Sequence, residues 1–151
     1  PAEKLEKVLN AGRLAPSSSN KQEWRFVVVQ DIEKRKKLAE ASKNQKFVGE
    51  APSIIIAVSL NPNYVMSCNV PSYAVDISIA LNHMMLTAVE EELGTCWIGA
   101  FNQQTVKNIL NIPEKNKVVV LLPIGYPAKN LGPRSRKSFN QISCFEQFSN
   151  K

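Results

Sequence analysis

Residues 76–101, DISIALNHMMLTAVEEELGTCWIGAF, decide the fold because an almost wholly apolar helical pattern leads directly into an extended segment. Over 76–93 the apolar side chains go nearly all the way round a helix. Such a helix is covered on most sides, either in a core or against a second subunit. We expect Asp76 to cap the N-terminus of this helix and Gly94 to end it. The following TCWIGAF is then a short strand or extended segment.

The rest of the chain alternates helical patterns with short apolar strands. Helices are predicted over 2–14, 32–42, about 44–50 and 103–112, strands over 25–30, 53–60 and 117–127, and a mobile loop over 61–72. Pro16 ends the first helix, Asp31 caps the second, and Pro123 breaks the last strand. Strand 53–60 is apolar at consecutive positions, so we expect both of its faces to be buried. Without internal repeats or a second composition regime, the sequence predicts a single α+β domain over 1–151.

Composition narrows the class of protein. With 44% hydrophobic and 21% charged residues in 151, the chain is typical of a soluble globular protein. The net charge of +6 comes partly from lysines of segment 33–46, but these alternate with glutamates at helical spacing, which indicates a solvated helix face. No helix-turn-helix or aromatic RNA-binding pattern accompanies them, so we expect no nucleic-acid partner. No continuous apolar run reaches the roughly 20 residues of a membrane span, and we expect no membrane association.

Few residues offer catalytic chemistry by themselves. His83 is the only histidine and lies within the apolar helix, so a structural role is favoured over a metal site or a catalytic triad. The cysteines at 68, 96 and 144 are widely spaced with no CxxC pair, which predicts reduced thiols and a cytoplasmic location. No GxGxxG or GxxxxGK[ST] motif is present, so a nucleotide cofactor would bind neither by a Rossmann loop nor by a P-loop. The loop Ser17–Glu23 has no apolar side chain, and its serines and asparagine are turn formers first.

Two motifs, taken together and in their order along the chain, resemble the pattern of a known protein family. R-x-A-P-S-x-x-N-x-Q at 13–22 together with G-T-C-W-I-G-A-F at 94–101 resembles the nitroreductase family of FMN-dependent oxidoreductases, especially its short members. The similarity extends over 3–29, 46–58, 76–101 and 118–128 and into the basic tail. The resemblance implies a three-layer sandwich with a central, mostly antiparallel sheet flanked by helices. It also implies an intertwined homodimer that holds FMN between its subunits, with helix 76–93 forming much of the interface.

The resemblance further implies which residues bind FMN or the substrate stacked on it. Short polar side chains come from the Ser-rich loop, an asparagine contacts the pyrimidine edge, main-chain N–H groups approach flavin N5 and O4, and a basic pair grips the phosphate. The short polar side chains are those of Ser17, Ser18, Ser19, Asn20 and Gln22, and the asparagine is Asn44. The main-chain N–H groups belong to Ile98, Gly99 and Ala100, and the basic pair is Arg134 and Arg136. A backbone poor in Cβ atoms can approach a ring closely, and arginine's planar fork suits a phosphate.

The implied activity is hydride transfer from NADH or NADPH through flavin N5 to an electron-poor acceptor, such as a nitroaromatic, quinone or enone, in a ping-pong cycle. The alternative is a flavin-binding or sensing protein with little turnover.

Two features depart from the family pattern. Its Arg-x-Ser-x-Arg phosphate motif would precede Pro1, so we expect an N-terminal segment to be missing from the sequence. Its usual Gly-Leu-Gly is Glu92-Leu93-Gly94 here.

Overall fold

A computed structural model describes residues 1–129 and 132–149. Six α-helices and four strands follow one another along these ranges, with a single 3₁₀ turn at Ser18–Asn20. In chain order they are α1 (Ala2–Arg13), β1 (Trp24–Val29), α2 (Ile32–Ala41), α3 (Lys46–Glu50), β2 (Ser53–Ser59), α4 (Ser72–Glu90), β3 (Gly94–Thr95), α5 (Gln103–Leu110), β4 (Lys117–Gly125) and α6 (Phe139–Ile142). The predicted elements are present, with ends shifted by a few residues.

The strands form one antiparallel sheet in the order β1-β2-β4-β3. Val27 lies opposite Ile56 of β2, and Ile56 lies opposite Leu121 of β4. Every residue of β2 is buried. The prediction of a strand covered on both faces is therefore confirmed.

Helices cover both faces of the sheet, giving the predicted three layers. Ile55 and Ala57 of β2 point into a core shared with α1 and α4, where Leu81 and Met84 are fully buried. The alternate residues Ile54, Ile56 and Val58 pack into a second core with α2, α3 and α5. The period of two along the strand thus divides one apolar run between two cores.

The helix α4 differs from the prediction at both ends. It begins at Ser72 with Pro71 at the N-cap, so Asp76 lies in its second turn, and the prediction of an Asp76 cap is wrong. It ends at Glu90, and Glu92 then takes a left-handed conformation with φ of 62°. The Leu93 N–H donates to the Ala88 carbonyl at 2.7 Å, which closes the helix by the Schellman pattern. Within residues 1–129 and 132–149, no helix is long and apolar enough to cross a membrane.

Pro123 does not break the last strand. β4 continues through it to Gly125. The Pro123 carbonyl accepts from the Cys96 N–H at 3.3 Å, on the side of β4 that faces the short strand β3. In an extended strand the N and the carbonyl of one residue face the same side, so the missing N–H of Pro123 removes no bond of the ladder to β2. The prediction of a break is therefore wrong.

Candidate functional site

The polar loop before β1 is tightly folded. The Ser17 hydroxyl accepts from the Gln22 N–H at 3.0 Å, and the Gln22 side-chain amide donates to the Asn20 carbonyl at 3.0 Å. Ser19, Asn20 and Gln22 all have φ between 51° and 53°. Left-handed backbone is unfavourable for residues other than glycine, and such conformations concentrate at ligand sites.

Ser18 faces the protein and its neighbours face solvent. Its N–H and its hydroxyl donate to the same carboxyl oxygen of Asp76, at 3.0 and 2.9 Å. Ser19 and Asn20 are exposed. Of the five residues predicted in this loop, Ser18 is thus the one whose side chain bonds outside the loop, to Asp76, while the side chains of Ser17, Asn20 and Gln22 form hydrogen bonds within the loop.

The segment after β3 provides main-chain donors. Ile98 is buried, and its N–H and carbonyl both bond to Leu121, at 2.9 and 3.1 Å. The Ile98 N–H is thus engaged in the sheet, and its approach to a flavin stays a prediction. Gly99 and Ala100 are exposed, and across residues 1–129 and 132–149 their N–H groups have no hydrogen-bond partner. A Cβ built on Gly99 would meet no atom within 4 Å.

Asn44 lies three residues beyond the end of α2, is exposed and has φ of 56°. The Asn102 N–H donates to the Ala41 carbonyl at 2.8 Å, which holds the end of α2 beside the segment after Ala100. A groove of about 730 Å³ runs between α2 and α5, and a neighbouring groove of about 660 Å³ is lined in part by Asn44. The fold therefore brings the end of α2, three residues before Asn44, beside Asn102, two residues after the Gly99–Ala100 turn.

The basic pair lies on the tail that follows β4. Arg134 and Arg136 are exposed, and the Arg136 guanidinium donates to the Ser135 carbonyl at 2.9 Å. Their charges are thus directed to solvent, as an anion-binding pair requires. Residues 130 and 131 lie outside the described ranges.

The polar loop and the Gly99–Ala100 turn lie at opposite edges of the sheet. The loop precedes Trp24 of the edge strand β1, while Ile98 bonds to β4 on the side of β3. Three strand spacings separate β1 from β3, which is roughly 14 Å. The two regions therefore extend from opposite edge strands of the sheet within one chain.

At the C-terminal end of α4, Lys4 joins α1 to that helix. Its ammonium donates to the Glu91 carbonyl at 2.6 Å and to the Glu92 carboxylate at 3.3 Å, and lies 5.4 Å from the Tyr126 ring centroid. Burial by itself would lower the pKa of Lys4, but the hydrogen bond to Glu92 and the influence of Tyr126 outweigh it and raise that pKa above its usual value.

Asp76 is bonded to the polar loop, although the sequence patterns predicted it only as a helix cap. The available signal was that Asp76 is the only Asp, Glu, Lys or Arg in 72–89. A lone carboxyl in an apolar helix needs a partner, but the sequence could not show that the partner lies 58 positions away. Elsewhere in the described ranges, no cluster of three or more His, Cys, Asp or Glu side chains could hold a metal ion.

The residues present fit FMN. Unpaired N–H groups at Gly99 and Ala100 suit the acceptor atoms of a heteroaromatic ring, and the open space at Gly99 allows the backbone to approach it. The exposed arginines suit a phosphate.

Comparison with known proteins identifies the family. The profile described as "Nitroreductase family" matches residues 1–66 and 42–126. A nitroreductase family protein from Clostridium novyi NT is 36% identical, with TM-score 0.79 over 84% of this chain and 74% of its own. The NADPH:FMN oxidoreductase from Vibrio harveyi complexed with NAD+ is 26% identical, with TM-score 0.88 over 99% of this chain and 70% of its own. The "FMN reductase [NAD(P)H]" of Bacillus subtilis (strain 168) is 27% identical over 99% of this chain and 67% of its own length. The chain belongs to the nitroreductase family.

Proposed function

We propose that the protein is an FMN-dependent oxidoreductase that takes a hydride from NADH or NADPH and passes it to an electron-poor acceptor, such as a nitroaromatic, a quinone or an enone. The two substrates occupy the same place in turn, in a ping-pong cycle. Membership of the nitroreductase family supports the class of reaction. The observation that carries the proposal in this chain is the exposed Gly99–Ala100 turn, whose main-chain donors are unpaired.

When bound, FMN accepts and releases the hydride at N5. The chain's own residues bind and orient. The N–H groups of Gly99 and Ala100 donate to the ring, and Asn44 contacts its pyrimidine edge. Arg134 and Arg136 hold the phosphate, where a bidentate guanidinium adds both affinity and direction. The polar loop contributes the hydroxyls and amides of Ser17, Ser19, Asn20 and Gln22.

A homodimer explains how both regions serve one cofactor. Since the polar loop leads into β1 at one edge of the sheet and the Gly99–Ala100 turn follows β3 at the other edge, the loop of one subunit completes the site built by the turn of the other. The site is then incomplete in a single chain. Cofactor binding and dimerisation are therefore coupled, because FMN that binds only the dimer favours it by mass action.

The outer face of α4 supports such a dimer. Leu86 and Val89 are 63% and 71% exposed, and Ile79 is half-buried on the same face. Their spacing of seven and three residues places them on one stripe. An apolar stripe left open on the longest helix is a typical subunit contact.

The test is spectroscopic. The protein as isolated, or after addition of FMN, should show flavin absorbance that bleaches on anaerobic addition of NADH or NADPH and returns with a nitro acceptor. Steady-state rates at several acceptor concentrations should give parallel double-reciprocal lines. A protein that takes up no FMN would overturn the proposal, and bound flavin that neither nicotinamide reduces would favour the sensing alternative.

A further inference from the structure

The carboxyl of Asp76 is nearly enclosed on the second turn of α4, with 5% of the residue exposed. One of its oxygens accepts from the N–H and the hydroxyl of Ser18, at 3.0 and 2.9 Å. The other accepts from the Ser72 hydroxyl at 2.8 Å. A buried carboxyl is costly unless such donors satisfy it, so these three bonds fix its position and, through it, that of Ser18.

Asp76 anchors the polar loop to α4 through Ser18, in addition to the hydrogen bonds within the loop. The 3₁₀ turn Ser18–Asn20 contains no buried residue, so apolar packing does not hold it. Three of the residues from Ser19 to Gln22 have left-handed backbone. Such conformations persist where contacts with the surrounding structure hold them in place. Asp76 provides contacts of this kind, because its carboxyl accepts two hydrogen bonds from Ser18 and lies outside the loop.

The anchor also joins the polar loop to segment 61–71. The Ser18 hydroxyl lies 3.3 Å from the Met66 sulfur, and the Lys21 ammonium lies 3.5 Å from the centroid of the Tyr64 ring. The Asn61 amide donates to the Glu23 carboxylate at 3.2 Å. The loop and the segment therefore form one surface, with Asp76 beneath the point where they meet.

We propose that Asp76 is a positioning residue for the cofactor site. It contacts neither cofactor nor acceptor. By holding Ser18 inward, it presents the polar groups of Ser17, Ser19 and Asn20 to the flavin of the other subunit at fixed places. It also fixes the adjoining segment 61–71, so that a change at Asp76 alters acceptor binding as well as flavin binding. This inference rests on the proposed function.

The test compares Asp76→Ala, Asp76→Asn and Ser18→Ala with the control Ser72→Ala, in the full chain. Ser72→Ala removes one hydrogen bond from the same carboxyl but on the oxygen that does not reach the loop. Asp76→Asn keeps the shape and one acceptor, so it should restore part of what Asp76→Ala loses. Ser18→Ala keeps the carboxyl and serves if the Asp76 variants fail to fold.

Three measurements separate positioning from a purely structural role. Amide hydrogen exchange of residues 17–22 in flavin-free protein should be at least tenfold faster in Asp76→Ala and unchanged in Ser72→Ala. The Kd for FMN and the KM for a nitro acceptor should rise at least tenfold in Asp76→Ala, with Asp76→Asn and Ser18→Ala between. The flavin absorbance maximum should shift in the same order, while kcat changes less than KM.

A purely structural role of Asp76 predicts a different set of results. If the Asp76 and Ser18 variants lose thermal stability to the same extent as Ser72→Ala, with loop exchange, FMN affinity and the flavin spectrum as in wild type, the residue is structural and the inference fails. That outcome differs from failure of the proposed function, in which wild-type protein itself binds no FMN or is not reduced by NADH or NADPH.

Discussion

Ile98 and Leu121 are joined by two main-chain bonds, with the Ile98 N–H donating at 2.9 Å and its carbonyl accepting at 3.1 Å. This pair fastens the chain to β4 one residue before Gly99. Because Ile98 is also buried in the core, the turn that follows has a fixed starting point. The open donors of Gly99 and Ala100 are thus held by a rigid element, as a precise binding site requires.

Gly99→Val should weaken FMN binding at least tenfold with little change in folding. The backbone at Gly99 lies outside the left-handed region and a Cβ there meets no atom within 4 Å, so the free energy of unfolding should change by less than about 0.5 kcal/mol. The new side chain would instead occupy the space assigned to the ring. Flavin fluorescence quenching measures the affinity, and thermal unfolding of flavin-free protein is the control. Unchanged FMN affinity would contradict the proposal that the flavin ring lies against this turn.

Glu92→Gly should stabilise the protein relative to Glu92→Ala by about 1 kcal/mol, since glycine adopts left-handed backbone without the Cβ penalty. Both variants lose the 3.3 Å ion pair with Lys4, so the comparison isolates the backbone term. Chemical denaturation with equal m-values gives the difference. Equal midpoints for the two variants would contradict the prediction.

Arg134→Ala combined with Arg136→Ala should raise the Kd for FMN at least tenfold and leave that for riboflavin within twofold, because only FMN carries the phosphate that the pair is proposed to hold. Titration of each flavin by fluorescence provides the comparison. Lys34→Ala combined with Lys115→Ala, which also removes two positive charges at exposed positions, is the control for net charge. An equal loss for both flavins would place the arginines elsewhere.

Leu86→Asp on the outer face of α4 should convert the proposed dimer to monomer and reduce FMN affinity together with it, since a charge buried in an apolar contact is unfavourable. Light scattering after size exclusion reports the mass. Ile32→Asp is the matched control, because Ile32 is 54% exposed and an acidic residue in the first turn of α2 is favourable for the helix. A monomeric wild type that binds FMN would refute the shared site.

Local sequence patterns predicted the elements well where the deciding contacts are near in sequence. The apolar run at 53–60 predicted a doubly covered strand, and Asp31 caps α2 by accepting from the Lys34 N–H at 2.8 Å. Within the candidate site, the Gly99–Ala100 turn was predicted from the resemblance of GTCWIGAF to the nitroreductase family, and its small residues agree with a backbone that comes close to a ring.

Tertiary structure decided the rest, because distant partners compete for the same polar groups. Asp76 has the form of a helix cap in the sequence, but Ser18 reaches it from 58 positions away and the helix begins earlier. The sequence does not show a hydrogen-bond partner for the Ile98 N–H, but in the sheet this group donates to the Leu121 carbonyl. Pro123 was predicted to break the last strand. Its nitrogen, which carries no hydrogen, faces the side of β4 that pairs only with the short strand β3, so the hydrogen bonds to β2 are unaffected. Sequence thus determined which segments are helix, strand and polar loop, while the order of strands determined which donors remain available to a ligand.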